Sequence, residues 1–344
     1  MRGVWLTGHG GFEHLDIRDD IPVPEFGPDE VLIRVSAAAV NNTDINTRIG
    51  WYSKHDHAAE DAAWGGAPLQ LPRIQGADVC GQIAAVGASV SPDRIGERVL
   101  VEPCLWQVRG QTLEQPWYFG SECDGGFAEY TVVAARHAHK VESSYSDVEL
   151  ASFPCSYSTA ENLLTRAQVG PGDRLLVTGA SGGVGSAIVQ LAQVRGAEII
   201  AVTSAAKASA ILDLGATQII ERGASVLQKL GRNSVDVVVD LVAGEQWPEF
   251  LEILRPKGRY AVSGAIAGPL VELDVRTLYL KDLSFFGCTV LEPGVFPNLI
   301  KQIEAQRIRP LVAQVFPLAA IVEAQKAFLT KQHIGKIVLQ VARP

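Results

Sequence analysis

Apolar positions along this chain follow two different rhythms. Up to about residue 147 the runs are short and separated by turns containing Gly, Pro and Asp. Glu30-Val31-Leu32-Ile33-Arg34-Val35 and Gly81-Gln82-Ile83-Ala84-Ala85-Val86 read as strands, and Asp93 to Gly96 forms a turn feeding a further strand that ends at Val101. Residues 53–73 are polar, Ala-rich and without steady period, so they read as a long excursion of the kind that often carries function. Beyond residue 147, buried strands are expected at 175–178, 198–203, 217–220, 235–240, 258–263 and 283–290. Helical periodicity falls between them at 184–195, 206–214, 223–230 and 245–254. Such alternation predicts a doubly wound parallel sheet covered on both faces.

The last stretch predicts a helix over 294–306, another over 318–330 and a closing strand over 336–341. Because these follow a six-strand pattern, the tail is expected to fold back onto the N-terminal part. The expected organisation is an α/β protein of two domains. One is β-rich, from residues 1–148 and 291–344; the other is the doubly wound unit, residues 149–290.

The richest stretch is 175–204. An apolar strand enters the turn Ala180-x-Gly182-x-x-Gly185, then an apolar-periodic helix, then a second strand. Gly182 lets the backbone approach a pyrophosphate, and Gly185 lets the helix lie close on the strand. The helix N-terminus offers free N–H groups and the positive end of its dipole. Within this strand–turn–helix–strand frame the glycines indicate a dinucleotide site built on Ala180, Gly182, Gly183, Val184 and Gly185. Sites for NAD usually end the second strand with Asp or Glu, about 20 residues past the glycines, to hold the ribose hydroxyls. Here that strand ends Val202-Thr203-Ser204-Ala205-Ala206-Lys207, with no carboxylate. Ser204, Lys207 and Arg222 suit a 2′-phosphate, so NADPH is the expected cofactor; the alternative is that Lys207 and Arg222 are solvated surface charges.

Composition narrows the partners. The chain has 344 residues, 47% hydrophobic and 20% charged, with a net charge of −8 spread without blocks. No basic stripe suggests nucleic acid or anionic lipid, and no apolar run of membrane-spanning length is present. Five scattered cysteines do not make a disulfide framework, and the N-terminus lacks the apolar stretch of a signal peptide. A cytoplasmic protein with reduced thiols is expected.

Several segments in order resemble the medium-chain dehydrogenase/reductase superfamily. They are Ala37 to Asp44, Gln75 to Gly81, Gly96-Glu97-Arg98-Val99, Gly125 to Tyr130, the glycine turn and Gly335-Lys336-Ile337-Val338-Leu339. The resemblance implies a GroES-like catalytic domain completed by the tail and a Rossmann dinucleotide domain between its two parts. Zinc-dependent members hold a metal with Cys, His and Cys. At those positions this chain has Asn41, Ala77 and Cys155, with Asp78 as an added oxygen. Two plausible ligands are too few for a tetrahedral site. The structural zinc lobe needs four close cysteines, and none lies between Cys104 and Cys123. No zinc is expected at either place.

What remains resembles the zinc-free quinone oxidoreductase branch, through Asn41, Asp44, Arg48, Gly50 and Tyr52. The branch often carries a tyrosine where this chain has Asn46. The implied reaction is hydride transfer from NADPH to a quinone or an α,β-unsaturated carbonyl, which needs alignment, an oxygen contact and a proton but no Lewis acid. Tyr52 is the expected proton donor or oxygen-orienting group, with solvent as its competitor. Asn41 is expected at the nicotinamide ribose or the substrate oxygen. Asp44 and Arg48 either take part or form an ion pair that positions the loop. Thr159, Ser263, Gly264 and Lys336 are the further cofactor contacts the resemblance implies. His55 and His57 read as exposed rather than as a metal pair. Two alternatives stand: an alcohol dehydrogenase with an atypical metal site on Asp78 and Cys155, and a non-catalytic NADPH-binding structural or sensor protein. A homodimer is expected through the apolar edge Leu283 to Val290, for which an internal strand is the alternative.

Overall fold

The strand Glu30–Val40 is the spine of the N-terminal unit. Val31, Ile33 and Val35 point into the core while Leu32, Arg34 and Ser36 point away from it. From Ala37 onward both faces are buried, and the run Ala37-Ala38-Ala39 supplies side chains small enough for that. The strand pairs antiparallel with Asp78–Val86, with Tyr130–Ala134 and with Lys336–Gln340. Ala138–Lys140, Arg98–Val101 and Val312–Pro317 complete a seven-stranded sheet. A small sheet of Leu15–Arg18, Gly3–Leu6 and Arg73–Ile74 and the hairpin of Cys104–Val108 with Gln111–Tyr118 complete its β-structure.

This computed structural model describes residues 1–53, 64–65 and 68–342; His55, His57 and most of the 53–73 excursion lie outside them. The chain forms two compact units. The first holds residues 1–155, 303–305 and 309–344, and the second 156–302 and 306–308. The boundaries expected at 148/149 and 290/291 therefore move. The helix Val295–Glu304 stays almost wholly with the second unit, where Asn298 Nδ2 donates to Glu161 Oε1 at 2.7 Å. The two closing strands join the first unit's sheet as the sequence suggests.

In the second unit six parallel strands run in the order Gln218–Glu221, Glu198–Thr203, Arg174–Val177, Val235–Asp240, Leu254–Val262 and Ser284–Gly287. Strand order reverses at Arg174–Val177, the position at which doubly wound sheets bind ligands. Leu175, Leu176 and Val177 are fully buried, as strands covered on both faces require. The helix Gly183–Val194 follows, one residue from its expected bounds. The helix expected over 206–214 is instead a 3₁₀ turn, Ala205–Lys207, leading into the short helix Ala208–Leu212. Ser284–Gly287 is the sheet edge rather than an internal strand, and its Phe285 is part-exposed. Val275, Tyr279 and Leu280 of the helix Val275–Leu280 are exposed as well. No helix among the described residues is long and apolar enough to cross a membrane.

Candidate active site

Sheet register assembles the first unit's polar cluster. Ile337 pairs with Val40 and Asp78 pairs with Ala39, so Lys336, Asn41 and Asp78 meet at one end of the spine strand. The Lys336 ammonium lies 2.8 Å from Asp78 Oδ2 and donates to Asn41 Oδ1. Asn41 Nδ2 donates to Asp78 Oδ2 at 2.7 Å and to the Ala39 carbonyl at 3.2 Å. Asp78 Oδ1 accepts the backbone N–H of Cys155 at 2.5 Å. That N–H opens the helix Pro154–Arg166, where the dipole favours a carboxylate. Cys155 Sγ lies 3.0 Å from the Tyr118 hydroxyl, and the Trp64 ring packs on Tyr118 at 5.1 Å.

Asp44 sits beside this cluster on the helix Asn42–Arg48, a polar segment without apolar period that the sequence does not predict as helical. Its Oδ2 accepts the Asn41 N–H at 2.7 Å, closing the first turn, and its Oδ1 accepts the Gly76 N–H at 3.2 Å. Gln75 Nε2 donates to the Asp44 carbonyl at 2.9 Å. Burial pushes the Asp44 carboxyl up to about 7, against the opposing pull of the Asn41 N–H and Lys336. Burial, and then the Asp78 carboxylate, pushes the Cys155 thiol up to about 12. Tyr118 is raised well above its ordinary value, again chiefly by burial.

One expectation is corrected here. Arg48 does not pair with Asp44. Its guanidinium donates to Gln325 Oε1 at 3.0 Å and to the Gly10 carbonyl at 2.5 Å, and it lies over the Phe12 ring. Asp44 and Arg48 thus position the loop separately, one by capping the helix and the other by anchoring its end. Asn41 Nδ2 donates to two protein oxygens, those of Ala39 and Asp78. Lys336 is 2% exposed and bound to Asp78 and Asn41, which makes it part of this cluster. Tyr52 is half-buried; its hydroxyl donates to Thr43 Oγ1 at 3.3 Å, and burial raises its pKa.

This donor set does not match the needs of a divalent metal. An amide, a carboxylate already neutralised by an ammonium and a thiol held protonated by burial do not suit zinc, whose ligands must be deprotonated and unencumbered. Among the described residues no group of three or more His, Cys, Asp or Glu is placed to hold a metal ion.

The second unit carries the dinucleotide features. A Cβ at Gly185 would lie 2.2 Å from the Gly179 carbonyl oxygen, so this glycine is demanded by the contact of helix with turn. Gly182 differs: its φ is −74°, and a Cβ there would meet only the Gly179 oxygen at 3.5 Å. Neither backbone conformation nor packing asks for glycine at 182. That side of the turn is open. Gly183 and Val184 begin the helix with N–H groups free of intrahelical partners, and the Ala180 N–H donates to Val202.

At the end of the strand Glu198–Thr203, the Thr203 hydroxyl is buried without a partner. The Lys207 ammonium is lowered by partial burial and then by the nearby Arg222 guanidinium. The Arg222 N–H donates to the Thr203 carbonyl at 2.8 Å, which places both cations at this strand end beside Ser204. A polyanionic dinucleotide fits these features. Thr159 is half-buried on the helix Pro154–Arg166. The Ser263 N–H donates to the Asp240 carbonyl at 3.3 Å, and a Cβ on Gly264 would sit 2.9 Å from the Leu241 oxygen.

One network escaped the sequence reading. Asp240 Oδ1 accepts from Thr178 Oγ1 at 2.6 Å and its Oδ2 from the Tyr260 hydroxyl at 2.6 Å. Thr178 directly precedes the glycine turn, so Asp240 ties two strand ends together. The terminal Asp of Val237-Val238-Val239-Asp240 is the available signal, a charged residue closing an apolar strand.

Residues 27–143 match the family model for the alcohol dehydrogenase GroES-like domain, and residues 183–305 match that for the zinc-binding dehydrogenase domain. A solved structure of a candidate alcohol dehydrogenase from Sinorhizobium meliloti 1021 is 43% identical, covers 99% of this chain and 96% of its own, and superposes with a TM-score of 0.90. Quinone oxidoreductase from Homo sapiens is 29% identical over 98% of this chain and 97% of its own length. NADPH-dependent alkenal/one oxidoreductase, chloroplastic, from Arabidopsis thaliana is 28% identical over 98% of this chain and 79% of its own.

The chain belongs to the medium-chain dehydrogenase/reductase superfamily, in its quinone oxidoreductase-like branch. It is an oxidoreductase that uses a nicotinamide cofactor.

The raised Asp44 carboxyl gives a prediction with a definite sign. The folded state binds this proton more tightly than the unfolded chain, whose carboxyl titrates near the ordinary value of 3.8. Its contribution to stability is present below that value and is lost as pH rises through about 7. In urea unfolding, the stability margin of wild type over Asp44→Asn should shrink by roughly 1.4 kcal/mol per pH unit within that window. A margin that stays flat from pH 4 to 7 would refute the assignment.

Proposed function

We propose that the protein is an NADPH-dependent reductase of quinones or α,β-unsaturated carbonyls that works without a metal. The observation that carries this reading is the ammonium of Lys336 bound to Asp78 and Asn41, in a donor set unsuited to zinc. Alcohol oxidation calls for a stabilised alkoxide, usually on a Lewis acid. Quinones and enones are electrophilic already and delocalise the incoming charge onto a carbonyl oxygen. The names of the human and Arabidopsis relatives point to the same substrate class.

When bound, the reduced nicotinamide supplies the hydride. The chain's own residues do the rest. N–H groups of Gly183, Val184 and Gly185, with Ala180 and Gly182 shaping the turn, hold the pyrophosphate; Ser204, Lys207 and Arg222 hold the 2′-phosphate. Thr159, Ser263 and Gly264 serve the nicotinamide side. Tyr52 gives the proton to the substrate oxygen: its raised pKa keeps the hydroxyl protonated at neutral pH, and Thr43 orients it. Asp44, Arg48 and Asn41 fix the short helix on which Thr43 lies. The five cysteines are all free thiols, which suits the cytoplasm. Phe285 on the edge strand, with exposed Val275, Tyr279 and Leu280, suits pairing with a second copy.

Purified protein should oxidise NADPH with a panel of quinones and enones. Lys207→Ala and Arg222→Ala should each raise KM for NADPH on the order of 10-fold while leaving KM for NADH nearly unchanged. No turnover with any acceptor, or equal losses with both cofactors, would refute the reading. Tyr52→Phe should lower kcat on the order of 10²-fold with KM for NADPH unmoved; an unchanged kcat would give the proton to solvent. Light scattering at micromolar protein should report a dimer that Leu280→Glu weakens, and a monomeric wild type would exclude the pairing.

A further inference from the structure

We propose that Tyr118 holds a second carbonyl oxygen of the acceptor and that, together with Trp64, it makes the site select quinones over simple enones. The inference rests on the reading given under Proposed function and narrows its substrate class.

Three segments of the first unit bring two phenols to one thiol. Tyr118 closes the strand Gln111–Tyr118, Cys155 lies in the first turn of Pro154–Arg166, and Tyr52 follows the helix Asn42–Arg48. The Tyr118 hydroxyl lies 3.0 Å from Cys155 Sγ. Burial raises both phenols; Cys155 adds a smaller push to each, and Tyr52 a further one to Tyr118. The two hydroxyls therefore share one neighbourhood, reached from different parts of the chain.

The thiol leaves Tyr118 a proton to offer. Cys155, pushed up to about 12 by burial and then by Asp78, keeps its S–H at neutral pH. With that S–H turned toward the Tyr118 oxygen, the phenolic O–H is released for an oxygen of the ligand. Tyr118 then lends a hydrogen bond, while Tyr52 transfers the proton.

The ring of Tyr118 is fixed as firmly as its hydroxyl. Ala77 and Cys155 pack with it, and the part-exposed Trp64 lies against it with ring centroids 5.1 Å apart and planes tilted by 31°. Glu122 Oε2 accepts the Tyr118 N–H at 2.8 Å, and its Oε1 accepts the Gly65 N–H at 2.6 Å. Ser121 Oγ accepts the Trp64 N–H at 3.4 Å. One carboxylate and one hydroxyl thus hold two aromatic side chains together. A rigid aromatic wall favours a flat conjugated ring over a puckered or flexible acceptor.

The chemistry of the two acceptor classes differs in the same respect. Reducing a quinone adds a hydride from NADPH and one proton, and both carbonyl oxygens end as hydroxyls of an aromatic ring, with NADP⁺ as the other product. An enone takes the hydride at its β-carbon and the proton at its α-carbon, and keeps its single carbonyl. Two oxygens on one ring call for two donors, which Tyr52 and Tyr118 supply.

The test compares menadione, a quinone, with cyclohexenone, a cyclic enone with one oxygen. Tyr118→Phe removes a hydrogen bond and keeps the ring, so kcat/KM for menadione should fall roughly 10-fold while that for cyclohexenone stays within about twofold. KM for NADPH should not move. Trp64→Leu should raise KM for menadione roughly 5-fold with little change for cyclohexenone. Because Trp64 is part-exposed, this second variant carries the comparison if Tyr118→Phe folds poorly, which melting curves will show. Equal losses on both acceptors, or an unmoved ratio between them, would overturn the inference. A wild type that turns over cyclohexenone but not menadione would overturn it too, leaving the metal-free reductase intact. No turnover with either acceptor would instead bring down the reading beneath it.

Discussion

A carboxylate and an ammonium enclosed together away from water organise the first unit of this protein. Neither Asp78 nor Lys336 would survive there alone, because removing one partner of a buried pair typically costs about 3–5 kcal/mol. Their attraction is useful because of what else each holds. Asp78 terminates a helix and Lys336 reaches Asn41, so the pair converts sheet register into a fixed arrangement of side chains. The Asp44 helix, the Tyr118–Cys155 contact and the segment leading to Tyr52 are built outward from it.

The second unit solves a different problem with backbone rather than charge. Its glycine turn leaves main-chain N–H groups open at the start of a helix that packs against the strand. Gly185 answers the packing requirement, and Gly182 leaves an opening. Asp240 braces the turn from the neighbouring strand through Thr178, so the surface that meets the cofactor is held by hydrogen bonds on its far side. The two units are thus held differently, one through a buried charge pair and the other through backbone packing and a hydrogen-bonded strand end.

What the sequence disclosed follows the range of the interactions involved. The glycine turn, the six parallel strands and the helix after the turn are encoded within about thirty residues each, and periodicity located them to within a few positions. The missing acid after Val202 was equally legible. The bond of Lys336 to Asn41 has no local signature, because the two lie 295 residues apart and only the pairing of Ile337 with Val40 brings them together. An ion pair of Arg48 with Asp44 is one of the two alternatives the sequence offers, whereas the structure gives Arg48 a distant glutamine and a carbonyl. The helix Asn42–Arg48 was invisible because no apolar stripe marks it; a side-chain cap and tertiary anchors hold it. The domain boundaries shifted because the helix Val295–Glu304 is tied by Asn298 to Glu161, a contact with no local signature.

The strand Lys336–Gln340 has a consequence for the birth of the molecule. It lies against Glu30–Val40, near the opposite end of the chain, so the first sheet begun on the ribosome is the last one finished. The nucleotide-binding unit, nearly continuous in sequence, is free to form as it emerges. Until residues 336–340 appear, the edge of Glu30–Val40 along residues 37–40 lacks its neighbour, and Asp78 waits without its countercharge. Synthesis therefore passes through a stage in which a finished half carries an incomplete one, exposing a raw sheet edge to chaperones and to other nascent copies.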